Sequence, residues 1–493
     1  MSDRNAIKDH AREAAIFTGR VTTAFGIVLV LLGALVARMV YLQIFSHEHF
    51  TTLSEQNRVS LVPEVPTRGL IFDRNGALLV QNMPAYSLTL VPERIQDMDA
   101  VLADLAGIVE ITDADLARFK KELKNTRRFK PVTLRYRLSE EEVARLAMNR
   151  HLFQGVDIDA RLLRYYPFGE LAVHALGYVG RVSEEDLQGP DGAKYENIMY
   201  IGKSGVEKFY EELLRGEEGY QQVETNAKGR LIRELERIPS KPGKHIYLNL
   251  DINMQTIAEA ALGEENGAVV AIEPNTGEVL VFASRPGFDP NQFVTGIDAK
   301  SFDALNKSPN QPLFNRALRG RYPPGSTLKP FVGLAALETG ERSPEQALFC
   351  GGSYRLPGVD RKFRDWKKEG HGYTDFNRAI IESCDVYFYD VGKDMNIDVL
   401  HDFLVQFGFA NLTGIDIPGE AAGIIPSTHW KRKNLGEPWY LGESLSASIG
   451  QGYNVATPLQ LAHAVGILAV RGKIVRPKML GRAVDVLTKA EER

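Results

Sequence analysis

Hydrophobic positions change their spacing several times along this chain, and each change marks an element or a boundary. Val21 to Ala37 (VTTAFGIVLVLLGALVA) carries no charge, and after Arg38 the apolar run resumes as Met39-Val40-Tyr41-Leu42. Those residues are about 22 long, enough to cross a ~30 Å hydrocarbon layer with Arg38 snorkelling to its edge. A cleaved signal peptide is the alternative. The run exceeds the ~7–15-residue apolar core of such a leader, and no small-x-small cleavage site follows it. Arg4, Lys8, Arg12 and Arg20 precede it, while the first basic residue well past it is Arg58. This excess predicts a cytoplasmic tail over 1–20, a single-pass anchor over 21–42 and a body across the membrane.

Residues 43–60 are polar with scattered apolar positions and predict a helical stalk. From Val62 to Leu90 the pattern becomes strand, turn, strand, with Asn75-Gly76 signalling a type I′ hairpin. Over 97–150 apolar and acidic positions recur at helical spacing, as in DMDAVLADLAGIV, and predict amphipathic helices. Pro239-Ser240-Lys241-Pro242-Gly243 marks a boundary between a first domain, 43–240, and a second, 241–493. Beyond it His245–Leu250 alternates like a strand, and Asp251-Ile252-Asn253 opens a helix running to about Leu262. Gly267–Ser284 predicts two buried strands joined by a Pro274-Asn275-x-Gly277 turn. Helical patterns dominate from about 298 to 410. A hairpin around one long helical region is an α+β layout.

Composition narrows the function. The 493 residues, 44% apolar and 25% charged, suffice for two or three domains with large cores. The net charge of −4 comes with no long basic run, which disfavours a nucleic-acid partner. Gly202-Lys203-Ser204-Gly205 imitates the end of a phosphate-binding loop, but that loop needs glycine where Asn197 stands.

The strongest local signal is Tyr322-Pro323-Pro324-Gly325-Ser326-Thr327-Leu328-Lys329-Pro330, followed by FVGLAALETG. Pro-Pro-Gly is a turn, and the apolar run after it is a buried helix closing at Gly340. Ser326 starts that helix. Pro330 is tolerated there because first-turn N–H groups have no intrahelical acceptor. Ser326 and Lys329 share one face. A serine hydroxyl needs a base within hydrogen-bond reach, and a lysine serves where burial and a helix-start dipole favour its neutral amine. On spacing alone, an N-cap serine beside an exposed lysine remains the plainer reading. Residues 372–394 predict an amphipathic helix running into Ser383-Cys384-Asp385. That second hydroxyl can relay a proton and Asp385 can fix the lysine, with ordinary turn capping as the alternative.

Together, Ser326-Thr327-Leu328-Lys329 and Ser383-Cys384-Asp385 resemble the first two motifs of the penicillin-binding proteins and serine β-lactamases. Aspartate in the third place of the second motif is similar to the elongation-specific penicillin-binding protein 2 branch of class B. Arg68-Gly69-x-Ile71-x-Asp73-Arg74-Asn75-Gly76 and Gly202-x-x-Gly205-x-Glu207 resemble signatures of the class B pedestal. Tyr166-Pro167 and His174-Ala175-Leu176-Gly177 fit between them. Gly450-Gln451-Gly452 and Thr457-Pro458-Leu459-Gln460 resemble stretches of the transpeptidase domain. The resemblance implies an extended β-rich pedestal (dimerisation-type) domain and a β-lactamase-like transpeptidase domain, helices on an antiparallel sheet. It implies a bacterial inner-membrane enzyme, its bulk periplasmic, cross-linking peptidoglycan stem peptides. Ser326 would attack D-Ala–D-Ala, Lys329 would be general base and Ser383 part of a proton relay. β-Lactams would acylate the same serine. The rod-system glycan polymerase and rod-complex membrane proteins are the implied partners.

Cys350, Asp365, His371 and Cys384 fall within 35 residues and form a chemically sound tetrahedral zinc set, although their spacing matches no short zinc motif. A Cys350–Cys384 disulfide is the alternative in an oxidising compartment. The resemblance brings in a structural zinc at these positions, and both readings stay open.

One family feature is missing. No Lys-Ser/Thr-Gly triplet follows Ser383, and Lys203-Ser204-Gly205 lies far upstream. That third motif binds the substrate carboxylate, and its strand supplies an oxyanion donor, whose loss costs ~10²–10³ in rate. The expectation is a transpeptidase lacking its C-terminal strands, impaired as written and poorly stable, most simply a shortened form of a longer enzyme. A non-catalytic scaffold that activates a glycan polymerase is the competing class. A β-lactamase or β-lactam sensor leaves residues 45–240 unexplained.

Overall fold

The computed structural model describes residues 10–45, 59–190, 192–195, 198–225 and 231–492. It divides into two units, 1–64 with 218–239, and 65–217 with 240–493.

In the first unit, α1 (His10–Val40) continues as a π-helical turn, Tyr41–Phe45. Its apolar side chains are exposed all round, and Ala14–Ile44 is long and apolar enough to span a bilayer. Most of the predicted stalk, residues 46–58, lies outside the described residues. The unit also holds an antiparallel sheet of β1 (Val59–Glu64), β8 (Gly219–Thr225) and β9 (Leu231–Ile238), in the order β1-β8-β9.

In the second unit the hairpin forms from β2 (Ile71–Phe72) and β3 (Leu78–Leu90). Its turn is not type I′, which needs two residues at positive φ; only Gly76, at 87°, is there. The buried Asp73 carboxylate organises it instead, accepting from the Asn75 and Ala77 N–H groups at 2.8 and 2.7 Å. Helices α2 (Met98–Ala106), α3 (Asp113–Asn125) and α4 (Glu140–Asn149) are capped by Asp97, Thr112 and Ser139. Between α3 and α4 runs a strand that the helical reading of 97–150 did not include, β4 (Val132–Leu138). Its sequence, VTLRYRL, is rich in branched and aromatic residues, and it pairs with β3, as does β5 (Val156–Tyr165).

Arg68 and Glu207, drawn from two separate sequence signatures, meet in the short segment that follows. The hairpin β6 (Val179–Arg181) and β7 (Tyr200–Gly202) leads into α5 (Gly205–Phe209) and α6 (Glu211–Arg215). Arg68 donates to Glu207 at 2.6 Å and Glu211 at 2.7 Å, and Arg164 reaches Glu207 at 2.7 Å. Burial opposes the charge on Glu207, yet its two arginines outweigh it and hold the carboxyl below its ordinary range.

β10 (His245–Leu248), just past Pro242-Gly243, pairs in parallel with β2. It also pairs antiparallel with β17 (Leu480–Val484), which is flanked by β18 (Glu491–Glu492). One mixed seven-stranded sheet therefore joins segments from both sides of the predicted boundary. A shared core runs from Ile71 and Val80 to Phe282 and Leu459.

Asp251 caps α7 (Ile252–Leu262) as expected. β11 (Gly267–Ile272) and β12 (Val279–Arg285) form the expected antiparallel pair. β11 is half-buried rather than buried, because among the described residues its other edge has no strand partner. Around Phe331, Phe388, Leu404, Phe409 and Leu445 pack α8 (Lys329–Glu338), α9 (Phe376–Ile381), α10 (Asp385–Asp394), α11 (Ile397–Val405), α12 (Leu441–Ser448) and α13 (Pro458–Ala469). Between α8 and α9 the chain makes two small strand pairs, β13 (Leu348–Cys350) with β16 (Gly372–Thr374) and β14 (Ser353–Arg355) with β15 (Lys362–Arg364). The helical reading of 298–410 missed these. Three-residue strands carry no periodicity to detect.

Candidate active site

Ser326 lies in a 3₁₀ turn, Gly325–Leu328, that leads directly into α8. Its side chain is exposed, and among the described residues its hydroxyl has no hydrogen-bond partner. The turn is held from behind. Tyr322 and Ala456 exchange backbone bonds of 3.0 and 2.9 Å, and the Gly325 N–H donates to the Gly450 carbonyl at 2.9 Å. A β-carbon on Gly450 would stand 2.2 Å from the Gly325 oxygen, and its φ is 70°. The Gly-Gln-Gly stretch thus lets two backbones touch behind Ser326. That role depends on a contact 125 residues apart in the chain and has no local sequence signal.

Lys329 is the first residue of α8 and is 2% exposed. Its ammonium donates to the Asp385 carboxylate at 2.6 Å, the Ser383 carbonyl at 2.7 Å and the Ser383 hydroxyl at 3.1 Å, with the Phe388 ring 5.5 Å away. The exposed-lysine alternative is therefore wrong for this fold. Three of the four sequence-identified residues meet through one amine, while Ser326 starts the turn just before it.

The helix expected to run into Ser383-Cys384-Asp385 is α9, which ends at Ile381, and Ser383 sits between it and α10 at φ 53°. A non-glycine residue there stores about 1–3 kcal/mol of strain, which surrounding contacts must hold. Trp366 was not flagged from sequence. Its indole N–H lies 3.2 Å from both the Glu382 and the Ser383 carbonyls and so brackets the bend.

Cys384, the middle residue of the motif, caps α10 with its sulfur 3.4 Å from the Tyr387 N–H. It belongs to a buried cluster with Cys350, Asp365 and His371, whose ligand atoms all lie within 4.8 Å of one another. The two cysteines are free in this fold. Cys350 Sγ lies 3.6 Å from an Asp365 oxygen and 3.4 Å from His371 Nδ1, and Cys384 Sγ lies 3.5 Å from Asp365. Burial raises the Cys384 thiol well above its ordinary range, and the Cys350 sulfur adds to the rise.

Lys203-Ser204-Gly205 is nowhere near this chemistry. It joins β7 to α5, with Lys203 paired to Asp186, so both the phosphate-loop and the third-motif readings of it are discarded.

Residues 63–248 match the penicillin-binding protein dimerisation domain, and residues 267–493 match the penicillin-binding protein transpeptidase domain. Peptidoglycan D,D-transpeptidase MrdA of Acinetobacter baumannii is 42% identical over 97% of this chain and 71% of its own length. Penicillin-binding protein PBP2 of Helicobacter pylori, in its complex with MreC, superposes with a TM-score of 0.76 at 32% identity, over 88% of this chain and 80% of that one. A chain from a peptidoglycan synthase complex coordinating polymerization and crosslinking superposes with a TM-score of 0.68 at 28% identity, over 97% and 82%. Two matched domains in this order, and a relative this similar over nearly the whole chain, place it: the chain belongs to the penicillin-binding protein transpeptidases, in the MrdA (PBP2) branch.

Proposed function

We propose that this chain cross-links peptidoglycan by D,D-transpeptidation during cell elongation, through an acyl-enzyme on Ser326. The observation that carries the residue assignment is the buried Lys329 amine, one helical turn from Ser326 and bonded to both Ser383 and Asp385. In its neutral form Lys329 takes the Ser326 hydroxyl proton as Oγ attacks the penultimate D-alanine carbonyl. The Ser383 hydroxyl, 3.1 Å from the same amine, passes that proton to the departing D-alanine nitrogen. An acceptor-strand amine then attacks the ester, forming the cross-link and restoring Ser326. The Ser326 N–H, in a first turn with no intrahelical acceptor, is a donor available to the oxyanion.

The cysteine cluster suits a structural zinc. Tetrahedral Zn–S and Zn–O or Zn–N bonds of about 2.3 and 2.0 Å put neighbouring ligands roughly 3.5 Å apart, close to the separations found here. Cys350, Asp365, His371 and Cys384 would hold the ion, which would brace the Ser383–Asp385 bend and take no part in the chemistry. The basic tail ahead of the apolar helix supports a cytoplasmic amino terminus and a periplasmic body. Relatives solved with MreC and in a synthase complex support rod-system partners for this chain as well.

The test is covalent labelling of the gene product in membranes with a fluorescent penicillin. The parent takes up label at a single site, and Ser326→Ala takes up none. Undiminished labelling of Ser326→Ala would sink the assignment.

A further inference from the structure

A second group of charged side chains lies in the amino-terminal half, between residues 65 and 215, and takes no part in the chemistry above. A cavity of about 500 Å³ opens there, walled by Arg68, Arg161, Arg164, Arg215 and Tyr200, with Leu162 and Met199 as apolar lining. A neighbouring cavity of about 400 Å³ shares Arg161 and Met199 with it and adds Arg181 together with Glu122. No carboxylate lines the larger cavity.

The hydrogen-bond balance of these walls is one-sided. Arg68 and Arg161 are matched by carboxylates, Glu207 with Glu211 and Asp159 respectively. Arg164 is almost wholly buried; its Nε and Nη1 are used by Glu207, Gly69 and Asn82, while Nη2 is buried with no partner. Nε of Arg215, both Nε and Nη2 of Arg181, and the Tyr200 hydroxyl are likewise buried and unpartnered. Arg181 pairs with Glu122 at 3.6 Å and lies 4.5 Å from the Tyr136 ring, while Arg215 donates to the Lys194 carbonyl at 2.8 Å and lies 5.8 Å from the Tyr195 ring. Five orphaned atoms thus come from residues lining two adjoining cavities. Leaving a buried donor unmade costs about 1–3 kcal/mol, more beside a charge, so native folds rarely collect them. Guanidinium nitrogens can only donate, so the missing partner is an acceptor. A planar fork of donors beside apolar surface selects a carboxylate attached to a small apolar body.

We infer that this arginine-walled cavity is a second, non-catalytic binding site for a carboxylate-terminated peptide. The substrate class proposed above ends in such a carboxylate, so the ligand argued for is an uncleaved stem peptide held away from Ser326, an identification that rests on the transpeptidase reading. The volume suits it, falling within the ~300–1,000 Å³ of ordinary ligand pockets. Filling the cavity would set a carboxylate against the part-exposed Arg161 and Arg215, and couple substrate supply to the rigidity of this half.

The experiment uses the whole protein in detergent with Ser326 first acylated to completion by penicillin, so that the reactive site is closed. A soluble stem pentapeptide is titrated by calorimetry, alongside the same peptide with its terminal carboxylate amidated. Saturable binding of the acid is expected, at least tenfold weaker for the amide and for Arg215→Met or Arg161→Gln. Arg164→Ala is not used alone, because Arg164 also holds Glu207 and its loss can unfold the segment. Equal binding of acid and amide, binding insensitive to both arginine variants, or no binding would overturn the inference. Failure of the penicillin step itself would instead strike at the transpeptidase reading, which keeps the two separable.

Discussion

Replacing Asp385 with alanine tests whether the proposed base is held as an ion pair or merely parked nearby. Lys329 is 2% exposed and Asp385 14%, at 2.6 Å. Removing one partner of a buried pair strands the other charge, at about 3–5 kcal/mol. Two acceptors from Ser383 remain on the amine, and Asp385 is partly wet, so the lower end applies, about 3 kcal/mol. For a domain of this size that lowers the midpoint of thermal unfolding by roughly 6–12 °C. Replacing both charges, Lys329→Met with Asp385→Ala, removes the stranded ammonium, and apolar exchanges of this kind are neutral or stabilising elsewhere. The double variant should therefore recover most of the loss, a coupling of about 2–3 kcal/mol in a double-mutant cycle. Function parts company with stability: each variant, the double included, loses about 10²–10⁴ in the second-order rate of labelling by fluorescent penicillin. Calorimetric melting of the parent, Asp385→Ala, Lys329→Met and the double variant in detergent, beside the labelling rates, measures both. If Asp385→Ala melts within about 1 °C of the parent, or the double variant is simply additive, the pair is not the anchor described here.

Two further outcomes follow from other parts of the molecule. Metal analysis of protein purified without chelator should find roughly one zinc per chain and no disulfide, and Cys384→Ser should lose the ion and melt earlier; a disulfide with no metal would contradict this. His174 is buried against Phe288, and burial pushes its imidazole down to about 4, with the Pro286 carbonyl acting in the opposite sense. The folded state therefore binds this proton less readily than the unfolded chain. The stabilisation is full above the ordinary value of 6.5 and is lost as pH falls toward 4, amounting to about 3 kcal/mol. His174→Gln should flatten the loss of stability between those two pH values, and an unchanged profile would rule His174 out as its source.

The parts of the site legible in the sequence were those with a local cause. Pro323-Pro324-Gly325 ahead of an apolar run placed Ser326 and Lys329 at a helix start, and Asp251 announced α7, because caps and turns are decided within a few residues. Burial of Lys329 was not legible: it depends on Phe388 and Asp385, more than fifty positions on. β4 was absorbed into flanking helices because seven alternating residues between two amphipathic stretches look like a phase slip in the helical pattern. The Asn75-Gly76 turn took its type from the Asp73 side chain, which a dipeptide rule does not weigh.

The bend at Ser383 carries the same lesson further. Helices flank Ser383 on both sides, Phe376–Ile381 and Asp385–Asp394, and a serine is not in itself a helix breaker. What separates them is a set of demands on Ser383 that converge from elsewhere: the Lys329 amine on its carbonyl and hydroxyl, the Trp366 indole on its carbonyl, and Cys384 drawn into the cluster with Asp365. Each contact is of ordinary strength, about 1 kcal/mol net or somewhat more for the charged donor. Their sum comfortably exceeds the about 1–3 kcal/mol that a serine at positive φ costs. The strained residue and the cluster beside it are therefore one construction. Without the bend, the hydroxyl at 383 would follow the helix and lose its place beside the Lys329 amine.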